Sequence, residues 1–296
     1  MSTLSAKIAL SACVVGLTAA AATLPPGAAA RREVSNTLHG PEVPVGNGTG
    51  RMFVEVGPRG EPRAIGIALT ESAMTGLATR MNTTSRCFDK NGDGTVGHGE
   101  CVGDYQAVLA LPAGVTDLRL PVRWATVNWN PEGHMPPAPP VWSAPHFDFH
   151  FFIVDPALIN GIRSGSCGEL IDCEDAARAA KPLPPHHAPE GYIDVGAAVP
   201  AMGNHLIDSR DPELADPKLG FSHTFIYGSY DGKLIFLEPM VSHAFLSTRP
   251  TQCRPVRAPK AYATAGHYPS TYCVRHDAKS KTYRVTLEEL VYRAAE

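Results

Sequence analysis

A β-rich α+β fold, mainly antiparallel sheet or barrel-like with a few short helices and long Pro/Gly-rich loops, follows from three observations. Glycine and proline each occur 27 times in 296 residues, which breaks the chain into short elements joined by turns. Between the breaks, apolar and polar residues alternate with a period of two. The clearest such run is Pro145–Asp155, PHFDFHFFIVD, where Phe147, Phe149, Phe151 and Ile153 share one side and His146, Asp148 and His150 the other. Apolar residues make up 44% of the chain, enough for a sizeable core. A net charge of −3, with the charges scattered, supplies no basic stripe and argues against nucleic acid or an anionic membrane surface as a partner.

Residues 1–30 read as a secretory signal. Lys7 precedes an apolar run, Ile8–Leu24, that ends at Ala28-Ala29-Ala30. Leu10-Ser11-Ala12-Cys13 also spells a lipoprotein cleavage box, so a lipid anchor at Cys13 is the alternative to cleavage after the alanines. No later segment approaches the roughly 20 apolar residues of a transmembrane helix. The expected location is therefore secreted, periplasmic or extracellular. Beyond Cys13 stand six cysteines, and an oxidising compartment makes disulfides of them. They fall into local couples: Cys87 with Cys101, Cys167 with Cys173, and Cys253 with Cys273.

The polar, Gly- and Pro-rich segment 31–50 reads as a flexible arm, and 51–296 as a single β-rich domain. Arg51–Gly57 and Arg63–Leu69 flank the turn Pro58-Arg59-Gly60-Glu61 and predict a hairpin. Thr70–Met81 has helical spacing, interrupted by Gly76, and Asn82–Cys101 reads as a loop. Asp104–Leu111 and Val115–Trp129 alternate as strands. Asn130–Pro140, with five prolines, reads as a rigid connector leading into the histidine-rich strand. Leu158–Arg163 and Asp172–Ala180 read as short helices and Lys181–Ala201 as irregular. Phe221–Tyr227 and Lys233–Val241 flank a turn holding Asp231-Gly232, a strong hairpin signal. Arg249–Thr271 reads as loop, and Tyr283–Leu290 as a last strand or helix.

The most specific motif lies at 89–100. Asp89, Asn91 and Asp93 occupy positions 1, 3 and 5 of a twelve-residue calcium loop, Gly94 the sharp turn, Thr95 the backbone-carbonyl position and Glu100 the bidentate twelfth. Calcium is a hard ion that takes six to eight oxygens, which this set supplies. The segment resembles an EF-hand loop but departs from that family in its flanks, since Cys87 and Cys101 bracket it in place of two helices. The resemblance implies a structural calcium site without the opening movement of a sensor.

The polar side of the 146–150 strand offers a second set of ligands, spread over about 13 Å at about 3.3 Å per residue. His146, His150 and Glu238, joined by His205 or His223, form a nitrogen/oxygen set suited to Zn2+, Fe2+ or Mn2+. In a hairpin with a two- or four-residue turn, His223 and Glu238 share a face; a three-residue turn separates them. The alternative is a polar seam or subunit contact in which these groups hydrogen-bond one another. Such a pocket resembles that of cupin-type enzymes, although here the paired histidines stand four apart. No Gly-x-Ser-x-Gly, phosphate loop, dinucleotide fingerprint or His-Glu-x-x-His occurs.

HFDFHFF, PAMGNHLID and FSHTFIYGSYDGKLIFLEPMVSHAFL together resemble an uncharacterised family of secreted bacterial proteins, a domain of unknown function, over about Arg51 to Leu246. The resemblance implies a β-rich fold and homo-oligomerisation, and assigns no catalytic residue. Three functions stand open: a secreted or envelope-associated calcium-binding protein of unknown ligand, a metalloenzyme of hydrolase or oxygenase type, and a structural oligomer. For the first, calcium at 100 times its Kd is expected to stabilise the protein by about 2.7 kcal/mol. Calorimetric melting with and without calcium measures it, and Glu100→Gln is expected to remove the shift.

Overall fold

The alternating segments pair into antiparallel sheets in the computed structural model, which describes residues 36–97, 99–134, 136 and 138–296. The signal segment and Cys13 lie outside the described residues. In chain order the strands are β1 (Asn36–His39), β2 (Val43–Val45), β3 (Gly48–Val56), β4 (Pro62–Thr70), β5 (Asn82–Cys87), β6 (Cys101–Gly103), β7 (Tyr105–Ala110), β8 (Trp124–Asn130), β9 (His146–Phe152), β10 (Ser164–Cys167), β11 (Tyr192–Val199), β12 (Gly203–Asp208), β13 (His223–Tyr230), β14 (Lys233–Ser242), β15 (Thr251–Pro255), β16 (Gly266–Tyr268), β17 (Thr271–Asp277), β18 (Thr282–Glu288) and β19 (Val291–Arg293). The helices are short: α1 (Pro156–Asn160), α2 (Cys173–Ala179), α3 (Pro212–Ala215) and α4 (His243–Ser247).

One seven-stranded sheet runs β1-β3-β4-β18-β17-β15, with β2 also on β3; the other runs β11-β12-β13-β14-β9-β8-β7. A single apolar cluster joins them. From the first sheet it takes Met52, Ile65, Ile67, Val274 and Val285, and from the second Val127, Phe147, Phe149, Phe151 and Leu237. The aromatic side of β9 is thus the floor of a two-sheet core, as its period of two requires. A second apolar cluster, including Trp142, Phe152, Ile159, Ile171 and Met240, covers the opposite face of the second sheet. Both faces of β9 are therefore covered, and all seven of its residues are buried.

The β13–β14 hairpin turns on Asp231 and Gly232, with φ of 51° and 74°. Positive φ at both central residues is the type I′ geometry that matches the twist of paired strands. The ladder then slips: Ser229 pairs with Leu234 but Gly228 pairs with Phe236, so Ile235 is an extra residue. A slip of one residue reverses which side chains share a face. Gly228 also makes room for Phe236, since a Cβ at 228 would lie 2.1 Å from that ring.

Several segments depart from expectation. Residues 36–50, expected as an arm, form β1, β2 and the start of β3; β1 and β2 pair along β3 and seal its edge. At four and three residues, with only Val45 buried, they are too short to show an apolar period. The helix expected over 70–81 shrinks to one 3-10 turn, Glu71–Met74, because Thr75 is extended and Gly76 sits at φ +66°. One turn cannot offset the entropy of helix nucleation. Within 82–101, the ends pair as β5 and β6 with Cys87 opposite Cys101. The proline-rich 181–201 settles into β11 once its last proline before Gly191 is passed, and 249–271 contains β15 and β16. The segment at 283–290 is strand, β18.

Disulfides join Cys87–Cys101, Cys167–Cys173 and Cys253–Cys273, the local couples expected. Gly228→Ala is expected to destabilise the fold by about 1–3 kcal/mol, because the buried Phe236 ring must leave its rotamer. Denaturant titration measures the change, and an unchanged midpoint would show that the bulge relaxes without loss.

Candidate metal centre

Four strands converge on the polar side of β9. Its register sets Asn130, Asn128 and Thr126 of β8 opposite His146, Asp148 and His150. On the other flank, β14 sets Ser242 opposite His146 and Met240 opposite Asp148, which brings Glu238 level with His150. Beyond it, Gly228 of β13 stands between Phe236 of β14 and His205 of β12. With no side chain at 228, the His205 ring packs against Phe236 at 5.1 Å and reaches Glu238. Its Nε2 lies 3.9 Å from Glu238 Oε2, and His150 Nε2 lies 3.6 Å from Oε1.

Six side chains thus form two groups whose donor atoms lie within 4.8 Å of one another: His150, His205 and Glu238 in one, His134, His146 and Asp148 in the other. His146 Nδ1–H donates to the Ala144 carbonyl at 2.7 Å, and His205 Nδ1–H to that of Ala197 at 2.9 Å. Fixing Nδ1 in this way aims Nε2 at the group, the outer support that metal-binding histidines use. Asn130 Nδ2 donates to Asp148 Oδ2 at 2.7 Å and orients that carboxylate. Among the described residues, His146 Nε2, Asp148 Oδ1, both ring nitrogens of His150 and Glu238 Oε2 are buried without a hydrogen-bond partner. A buried polar atom left unpaired costs about 1–3 kcal/mol, so a cluster of five calls for an explanation.

Burial decides the electrostatics. It holds His150 down to about 3, against the pull of Asp148, and holds His205 below its usual value. These imidazoles are neutral at physiological pH, the form that binds metal. Burial alone would push Asp148 up, but the imidazoles of His146 and His134 outweigh it and hold its carboxyl below the usual range. Glu238 goes the other way, raised by burial and then by the charge on Asp148.

The two groups border a cavity of about 270 Å³, lined by Asn130, His134, Asp148 and His205, by Lys90 and Asp104, and for the larger part by apolar residues such as Trp142, Leu170, Val199, Met202 and Ile226. Glu169 enters the same cavity from the seven-residue loop closed by Cys167–Cys173, where Gly168 and Leu170 both take positive φ. Burial raises its carboxyl to about 7, and its Oε1 has no partner among the described residues. A carboxyl poised near neutrality beside a polar floor is a proton donor or acceptor by its chemistry.

Of the five residues expected to hold a transition metal, the structure gathers His150, His205 and Glu238 in one group and places His146 in its neighbour. His223 is excluded. The slip at Gly228 pairs it with Val241 and Glu238 with Ile226, so the two occupy opposite faces. His223 lies on the inter-sheet side, with Nδ1 2.9 Å from the Tyr272 hydroxyl. Sequence reasoning missed His134, because the Pro-rich connector has no period that aims a side chain, and left Asp148 out of the ligand set. Glu169 and Asn130 carried no signal.

The loop residues expected to bind calcium belong to neither group, although Lys90 and Gly99 of that loop line the cavity. Asp89 accepts from Gly92 N–H and Gly94 N–H at 2.7 and 2.8 Å, Asn91 from Asp93 N–H at 2.8 Å, and Asp93 from Thr95 N–H at 2.8 Å. Glu100 accepts from the N–H groups of Lys90, Asn91 and Gly97. The oxygens that shape the loop are those the calcium pattern specifies. At its base, Arg86 pairs with buried Asp104, which accepts from Asn128 Nδ2, and Thr126 Oγ1 donates to Asn128 at 2.7 Å.

Fold and site together define a disulfide-bonded β-sandwich with a buried His/Asp/Glu floor under an apolar cavity. No family model, curated protein or solved structure matches the chain, and residue roles therefore come from this geometry.

His223 makes stability depend on pH. Burial, then the charge of Arg254, lowers it from 6.5 to about 3. Between those values the unfolded chain binds a proton that the fold does not, so its contribution is present above pH 6.5 and lost as pH falls toward 3. One such proton steepens the decline by about 1.4 kcal/mol per pH unit. His223→Gln is expected to show a smaller fall in melting temperature between pH 7 and pH 5 than the parent protein. Parallel curves would remove His223 from the account.

Proposed function

We propose that this is an exported metalloenzyme whose divalent transition-metal ion is held by His150, His205 and Glu238 at the floor of the apolar cavity. The observation that carries the reading is the set of buried, unpartnered nitrogen and oxygen atoms converging there. Imidazole nitrogen with carboxylate oxygen suits Zn2+, Fe2+ or Mn2+ rather than calcium. Three protein ligands leave coordination positions open, the arrangement of catalytic rather than structural sites. The cavity is at the small end for ligand pockets and largely apolar, which suits a small, mostly apolar molecule carrying an oxygen donor. The ion, when bound, supplies Lewis-acid polarisation of that oxygen. His150, His205 and Glu238 hold it, the Ala197 carbonyl orients His205, and Glu169 exchanges a proton within the cavity.

Three disulfides and the N-terminal apolar run support export. Among the described residues, no helix is long and apolar enough to cross a membrane. Asp89, Asn91, Asp93, Thr95 and Glu100 hold a calcium ion that is structural in this reading, since the loop closes the β5–β6 pair. The resemblance to secreted bacterial proteins of unknown function agrees with export.

Elemental analysis of protein purified without a histidine tag tests the reading. At least one equivalent of zinc, iron or manganese is expected. His150→Ala and Glu238→Gln are expected to weaken binding by more than the 10- to 100-fold that an orienting residue commands. Calcium alone, with no transition metal retained after reloading, would overturn it.

A further inference from the structure

Resting on that reading, we propose that the centre holds two metal ions, the second bound by His134, His146 and Asp148. The donor atoms of these three side chains lie within 4.8 Å of one another, as do those of the first group. His146 and Asp148 are fully or nearly fully buried, at 0% and 2% exposure, so neither reaches bulk water. His146 has committed Nδ1–H to the Ala144 carbonyl. Its Nε2 faces Asp148 Oδ1 at 3.2 Å, yet the two atoms do not meet the geometry of a hydrogen bond and both remain unpartnered. A cation is the partner that satisfies an imidazole lone pair and a carboxylate oxygen at once.

The third ligand completes the set from outside the strand. His134 Nε2 stands 3.5 Å from Asp148 Oδ2, and its ring meets His146 edge-on at 4.5 Å between centroids. Asp148 Oδ2 also accepts from Asn130, which leaves Oδ1 for the ion.

The two sites are joined in three ways. Asp148 and His150 are two residues apart on one face of β9, which places them about 6.6 Å apart along the strand. Glu238 stands on the strand next to Asp148, since the β14 register sets Met240 opposite Asp148. His134 and Asp148 from one group and His205 from the other border the same cavity. Ions held by the two groups would border one space through His134, Asp148 and His205, where a single oxygen-bearing molecule would meet both. The His134 side chain is 32% exposed, against 13% for His205 and 1% or less for His150 and Glu238, so the second ion is the one that exchanges with solvent more readily.

Metal content decides the matter. Untagged full-length protein is stripped with a chelator, saturated with calcium to fill the Asp89–Glu100 loop, and titrated with Zn2+ or Co2+ alone. Two equivalents are expected for the parent protein and one for His134→Gln. The His134 side chain is half-exposed, so this variant is expected to keep the parental melting temperature after stripping. Glu238→Gln is expected to retain one equivalent, held by the intact second group. One equivalent in the parent protein, or two in His134→Gln, overturns the second site while leaving the first. No equivalents in the parent protein overturn both readings.

Discussion

Burying imidazole and carboxylate side chains on the covered face of a sheet is the constraint around which this molecule is built. Ionised groups taken out of water lose several kcal/mol unless they are paired, so burial must either neutralise them or supply charge of opposite sign. Here it neutralises His150, raises Glu238, and leaves Asp148 ionised among imidazoles. The second apolar cluster that covers this face makes the problem acute. Without it, the polar row of β9 would be hydrated, and its donor atoms would have water as a partner.

The site also depends on where side chains are missing. Gly228 lets a histidine two strands away approach Glu238, and the slip beside it turns Glu238 toward His150 rather than toward His223. Removing either would separate the ligands while leaving the hairpin intact. The same strand pair therefore carries the core on one face and assembles the first ligand group on the other.

Much of the fold was legible because its signals are local. The aromatic wall of β9, the Asp231-Gly232 turn, the β3–β4 hairpin and the three disulfides each rest on residues a short distance apart. What escaped was non-local or aperiodic. β1 and β2 are strands because β3 offers them an edge, which their own composition does not announce. Counting from a two-residue turn puts His223 on the face of Glu238, and the one-residue bulge at Ile235 reverses that. His134 lies on a connector whose direction comes from packing, so only the folded chain shows it beside His146 and Asp148.

The Arg86–Asp104 pair ties the chain's oxidation history to its interior electric field. Arg86 adjoins Cys87, whose bond to Cys101 closes a span of 14 residues. Its positive charge also helps lower His150. With that bond closed, Arg86 is held where it pairs with buried Asp104, which also accepts from Asn128. A covalent closure at the surface thus fixes the residue whose charge reaches a buried imidazole on a strand far along the chain.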